Sequence, residues 1–264
     1  MARRQPFAVE IAGSAVCGSL HWPSEQHGDT PVGAVLLVHG TPKPSAKTHA
    51  LFQRITDAMT EAGLVVAAYT ARSFNTDDRS ITQRLAVEMI DDASAVFRWL
   101  VLRDELDLTR VGVLGFSLGA IVAADLAQRT DQIARLCLLA PVTAEWVLNG
   151  ADRTGEDEYI RSLGADDAAE GFLIDLDTLD STQSAAAHDR PTLILHGAAD
   201  RAAPPELSFA YAGAIELAGR DVQHTLVAHA DHFFAADPSL TACVAQVSAF
   251  FAAMNDGSDS KNRS

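Results

Sequence analysis

The chain is poor in aromatic residues, in cysteine and in positive charge, and it lacks any long uninterrupted apolar run. Aromatics make up 6% of the 264 residues, with Trp and Tyr three each. The three cysteines, Cys17, Cys137 and Cys243, are an odd number, and none belongs to a C-x-x-C pair. That pattern argues against a disulfide framework or a cysteine zinc site. It predicts buried free thiols in a reducing cytoplasm, each inside an apolar strand or helix pattern. Lys and Arg total 20 against 35 Asp and Glu, a net charge of −15. Nucleic acids and anionic membrane surfaces are bound by clustered cations, so neither is an expected partner. No uncharged stretch reaches membrane-span length, and Met1-Ala2-Arg3-Arg4 leads into no apolar segment before Glu10, so neither a membrane segment nor a signal peptide is expected.

What is present is a strand and helix alternation over most of the length. Phe7 to Ile11 and Ala15 to Trp22 read as a hairpin around Gly13-Ser14. Ala34 to Val38, Leu64 to Tyr69, Val111 to Leu114, Ile133 to Leu139, Thr192 to Leu195 and Val222 to Val227 are apolar runs of strand length. Helical spacing lies between them over 46–62, 81–103, 205–218 and 239–254. Such alternation predicts one α/β domain with a mostly parallel sheet and helices on both faces. It breaks once. Residues 145–188 carry helical fragments with eleven Asp or Glu against two Arg, and read as a small cap inserted between core segments 1–144 and 189–254. Residues 255–264 are polar and predicted to be a disordered tail. There are no internal repeats.

The most informative residues are Gly115-Phe116-Ser117-Leu118-Gly119, a G-x-S-x-G pentad with a strand before it and the Ala-rich stretch 120–127 after it. A serine in a sharp strand-to-helix turn is held out at the end of the sheet, where it can act as a nucleophile. A serine hydroxyl needs a base, and the base needs a group that fixes its tautomer. Asp200, in His196-Gly197-Ala198-Ala199-Asp200 directly after a strand, is the candidate acid; its bland alternative is capping a turn or the next helix. His232, in Ala230-Asp231-His232-Phe233 after the last strand, is the candidate base, with His229 and His224 as competitors. The order Ser, Asp, His is that of α/β-hydrolases. For the oxyanion, the N–H of Leu118 is one candidate donor, and that of Thr41, in the loop His39-Gly40-Thr41-Pro42, is the second. His39 reads as a residue that braces this loop.

Together these segments resemble the α/β-hydrolase superfamily. From Phe7 to Met254 the chain is similar to its small serine esterases of the cinnamoyl (feruloyl) esterase and serine aminopeptidase-like group. The resemblance implies an eight-stranded sheet, a Ser117-His232-Asp200 triad, no metal or organic cofactor, and hydrolysis of a carboxylic ester through an acyl-enzyme. The segment Tyr69 to Thr76 keeps Arg72 of a related Asp-x-Arg-Gly-x-Gly-x-Ser pattern but not its glycines, which makes Phe74 a bulky residue beside the site. Phe74, Trp146, Val147, Leu148 and Phe233 are the candidate acyl-pocket residues. The expected substrate is a small-molecule ester with a short, medium or aromatic acyl group, and a homodimer is compatible with the sequence. A thioesterase or peptidase could use the same triad. The acidic cap disfavours a coenzyme A thioester, and the expectation that no propeller domain precedes the catalytic region weighs against a peptidase. A non-catalytic receptor on the same fold is the remaining alternative.

Overall fold

The apolar runs become central strands because helices cover both faces of the sheet. The structure, a computed structural model, describes residues 3–11, 13–24, 30–40, 46–72, 85–154 and 176–255. Its strands are β1 (Arg4–Ile11), β2 (Ser14–His21), β3 (Val32–Val38), β4 (Val65–Thr70), β5 (Leu106–Phe116), β6 (Arg135–Leu139), β7 (Thr192–Gly197) and β8 (Val222–Val227). They form one eight-stranded sheet in the order β1-β2-β4-β3-β5-β6-β7-β8. The hairpin β1–β2 is antiparallel and pairs antiparallel with β4; every later pairing is parallel. This is the expected α/β-hydrolase sheet.

Side-chain alternation divides the core in two. Leu36, Val113, Leu138 and Ile194 point to one face, where they meet α2 (Leu85–Leu100), α3 (Gly119–Gln128) and α6 (Glu206–Leu217). Leu37, Leu114, Leu139 and Leu195 point to the other, under α1 (Ala46–Glu61) and α7 (Ser239–Ala252). In α1, Leu51, Ile55 and Met59 are buried at helical spacing, and Gly63 follows the helix end at φ +82°. Within 145–188, α4 (Ala144–Thr154) places Val147 in the first core, and α5 (Ser181–Ala187) packs against α3 and α6. Residues 155–175 of the expected cap and 256–264 of the expected tail lie outside the described residues.

One expectation is corrected. Cys137 and Cys243 are buried, but Cys17 is exposed. It stands on the face of β2 opposite Val16 and Leu20, which are buried in the core, so an apolar-looking strand still presents one thiol to solvent. Among the described residues, no helix is long and apolar enough to cross a membrane.

Candidate active site

The site sits at the C-terminal edge of the parallel strands, where open α/β sheets assemble their chemistry. Between β5 and α3 the chain turns so tightly that side chains are excluded on both sides of the serine. A Cβ on Gly115 would lie 2.4 Å from the Gly119 carbonyl oxygen, and one on Gly119 would lie 2.4 Å from that of Val38. Ser117 itself adopts φ +55°, a left-handed conformation that costs a non-glycine residue energy and marks a constrained position. Its N–H donates to the Leu139 carbonyl at 2.9 Å, which ties the turn to β6.

From this turn a hydrogen-bonded relay runs through residues far apart in sequence. Ser117 Oγ lies 3.1 Å from His232 Nε2, and His232 Nδ1 lies 2.7 Å from Asp200 Oδ2. Nδ1 faces a carboxylate and therefore donates, which leaves Nε2 as the acceptor for the serine hydroxyl. The competitors are elsewhere: His224 Nε2 donates to Ser208 Oγ at 2.9 Å, and His229 turns the chain after β8 at φ +60°.

Asp200 makes the hydrogen bonds that both readings of it call for. Its Oδ1 accepts the Ala202 and Ala203 amides at 2.8 and 2.9 Å, capping the turn, while Oδ2 takes His232. Burial alone raises this carboxyl's pKa. Hydrogen bonds from His196 and His232, the nearby His232 charge and the Ala203 amide outweigh burial, holding Asp200 well below the ordinary carboxylate range.

Leu118 begins α3 with helical φ and ψ, its amide at the positive end of the helix dipole. Gly40, at the end of β3, faces it: a Cβ there would lie 2.9 Å from Ser117 Cβ and 3.3 Å from Leu118 N. Thr41 and Phe74 lie outside the described residues. His39 Nε2 accepts the Ala71 amide at 3.4 Å, and its ring is tilted 5.7 Å from that of Tyr69, joining the ends of β3 and β4. Phe233 packs edge-on to His232 at 5.1 Å and lies 6.0 Å from Phe116. Val147 is buried in the core, with Trp146 and Leu148 packed partly against the same cluster. Among the described residues, no three His, Cys, Asp or Glu side chains converge to hold a metal ion.

Sequence reasoning passed over Gly40 and His196 as functional residues. Both stand in His-Gly pairs at the C-terminal ends of parallel strands, β3 and β7, and that repetition is the available signal.

Comparison with known proteins agrees with this architecture. A model of the prolyl oligopeptidase family matches residues 52–257. The esterase EstD of Thermotoga maritima is 29% identical over 143 residues, 52% of this chain and 33% of EstD, so the match spans about a third of that relative's length. Among solved structures, Est1E from Butyrivibrio proteoclasticus superposes with a TM-score of 0.75 at 16% identity, covering 95% of this chain and 99% of Est1E. The acylaminoacyl peptidase of Pyrococcus horikoshii gives 0.71 at 15% identity, over 93% of this chain and 40% of the peptidase. At such identities the superpositions speak to the fold. The family match, in contrast, extends over most of the chain and takes in Ser117, Asp200 and His232, and by it the chain belongs to the prolyl oligopeptidase family of α/β-hydrolases.

Proposed function

We propose that this hydrolase cleaves carboxylic esters with short, medium or aromatic acyl groups through an acyl-enzyme. The observation that carries the reading is the continuous relay from Asp200 Oδ2 through the His232 ring to Ser117 Oγ. In the first half-reaction, His232 Nε2 takes the Ser117 proton as Oγ bonds to the substrate carbonyl carbon. The oxyanion that forms is held by the Leu118 and Thr41 amides. His232 then gives its proton to the leaving alcohol as the carbon–oxygen ester bond breaks. In the second half-reaction water takes the place of the alcohol, releasing the acid and restoring Ser117. Asp200 stays ionised throughout and orients His232. Residues 145–188 are proposed as a cap over the acyl group, with Phe74, Trp146, Val147, Leu148 and Phe233 as candidate contacts. The names of two similar proteins support the ester reading: EstD is an esterase, and a solved form of Est1E has ferulic acid bound.

A peptidase reading uses the same relay and is favoured by the family match and the acylaminoacyl peptidase likeness. One assay separates the two. Initial rates are measured on p-nitrophenyl esters from acetate to laurate, on methyl ferulate and on an N-acetyl-aminoacyl p-nitroanilide, with wild type and Ser117→Ala. Ester turnover that peaks at one acyl type and disappears in the variant supports the proposal. Faster anilide cleavage reassigns the chain to the peptidases, and ester turnover surviving in Ser117→Ala removes Ser117 from its role.

A further inference from the structure

His196 is the penultimate residue of β7, and its side chain is fully buried, so this imidazole meets neither solvent nor substrate. It nevertheless reaches the same carboxylate oxygen that His232 uses. His196 Nε2 lies 3.1 Å from Asp200 Oδ2 and 3.1 Å from the Ala203 carbonyl oxygen. With Asp200 ionised, both neighbours are acceptors, so Nε2 carries the hydrogen and shares it between them. That tautomer leaves Nδ1 a bare acceptor, and among the described residues Nδ1 is buried without a hydrogen-bond partner.

A buried imidazole with one orphaned nitrogen is an expensive way to fill space that an apolar ring could fill without an unpaired polar atom. The Nε2–H is what an apolar ring would lack. It ties Asp200 to Ala203 from beneath, while the Ala202 and Ala203 amides hold Oδ1 from the turn itself. The same turn is clamped to the loop that carries His232: the Ala199 amide donates to the Ala230 carbonyl at 3.0 Å, and a Cβ on Gly197 would lie 2.4 Å from that oxygen. His224, on the neighbouring strand β8, is occupied with Ser208 Oγ. Among the described residues, His196 is thus the side chain that joins the body of the sheet to the carboxylate oxygen facing His232.

We propose that His196 is a positioning residue for the hydrolytic reaction, its Nε2–H holding Asp200 Oδ2 on His232 Nδ1. The proposal rests on the reading of Ser117, His232 and Asp200 given above. Without this donor the carboxylate loses one anchor of Oδ2 and directs more of its charge at His232, so the imidazolium is favoured. His232 would then be protonated, and lost as a base, at higher pH.

The test compares His196→Phe, which keeps a ring without a donor, with His196→Gln, whose amide nitrogen reaches the place of the ring Nε2. In His196→Phe, kcat on the best ester is expected to fall about tenfold to a hundredfold, as loss of a charge-assisted hydrogen bond implies, with KM changed by less than about threefold. The acid limb of kcat/KM should move to higher pH, and His196→Gln should restore most of kcat and return the limb. Unchanged kcat and acid limb in His196→Phe would overturn the proposal. So would a His196→Gln variant as impaired as His196→Phe, because shape alone would then explain the site. A measurement on the wild-type protein stands apart from folding of the variants: nitrogen-15 NMR should show His196 as the Nε2–H tautomer, and the Nδ1–H tautomer overturns the assignment. Asp200→Asn separates the two levels. If it retains full activity, the triad reading itself fails; if it is inactive while His196→Phe is not impaired, only the role of His196 fails.

Discussion

Gly40 leaves open the space in front of the Leu118 amide: a Cβ on Gly40 would come within 3.3 Å of Leu118 N, and within 2.8 Å of the Phe116 carbonyl oxygen. The second contact is with backbone, so it cannot be relieved by rotating a side chain. The end of β3 and the serine turn approach each other as closely as two backbones with no intervening side chain can.

Gly40→Ala should therefore push the serine turn away from β3 and crowd the position where the oxyanion forms. The expected loss in kcat is roughly 10²-fold, comparable to removing one oxyanion donor, and larger than the change in KM. Steady-state kinetics with p-nitrophenyl acetate check it. A variant with wild-type kcat would show that the turn can shift without cost and that Gly40 does not shape the site.

Phe233 packs edge-on against His232 on one side, and Lys47 Nζ lies 5.7 Å from its ring centroid. If this ring lines the acyl pocket, Phe233→Ala should lower kcat/KM for methyl ferulate several-fold more than for p-nitrophenyl acetate, because aromatic contact contributes about 0.5–1.5 kcal/mol beyond area burial. An equal fall for both esters would make Phe233 a brace for His232 instead.

The central sheet was legible in the sequence for a physical reason. β3, β6 and β7 are buried on both faces, so nearly every residue in them is apolar and the runs stand out. The apolar run predicts β5 only over Val111 to Leu114, yet the strand spans Leu106–Phe116. Its first half, Leu106-Asp107-Leu108-Thr109-Arg110, mixes polar and apolar residues near the surface, and Asp107 takes up Thr109 and Arg110. The three residues of the relay were legible because each follows a strand end in a Gly- or Asp-rich turn. His196 was not, because its hydrogen bond to Asp200 depends on β7 running on to Gly197, beyond the apolar run that ends at Leu195. The outward turn of Cys17 was hidden too, since exposure on β2, second from the sheet's edge, depends on which face the helices leave uncovered.

Arg72 and Asp92 form a pairing that joins the end of β4, α2 and the hairpin. Asp92 is fully buried and takes both the Arg72 backbone amide and its Nε, at 2.7 and 2.6 Å, while Arg72 Nη1 donates to the Ile11 carbonyl. Arg72→Leu should destabilise the protein by about 3–5 kcal/mol, since it strands a buried carboxylate. Adding Asp92→Leu should recover a large part of that loss. Urea unfolding of the two variants and wild type decides it. A single variant within about 1 kcal/mol of wild type would mean the pair behaves as an exposed one.

His188, between α5 and β7, is buried, and burial lowers its pKa from 6.5 to about 4, the nearby Asp189 opposing this and Arg190 and Arg220 adding to it. The folded chain thus binds the proton less readily than the unfolded chain. Between pH 6.5 and 4 the unfolded state holds more protons, so stability falls as pH falls through that window and is fully present above it. The contribution at stake is on the order of 3 kcal/mol, from the linkage between shift and stability. His188→Leu removes the titration, and the difference in urea-unfolding free energy between pH 7 and about pH 4 should shrink by a comparable amount relative to wild type, whatever the carboxylates add to both. If wild type and variant lose the same stability on acidification, His188 is already accessible to the proton in the folded state, and the acid sensitivity of the fold must come from its carboxylates.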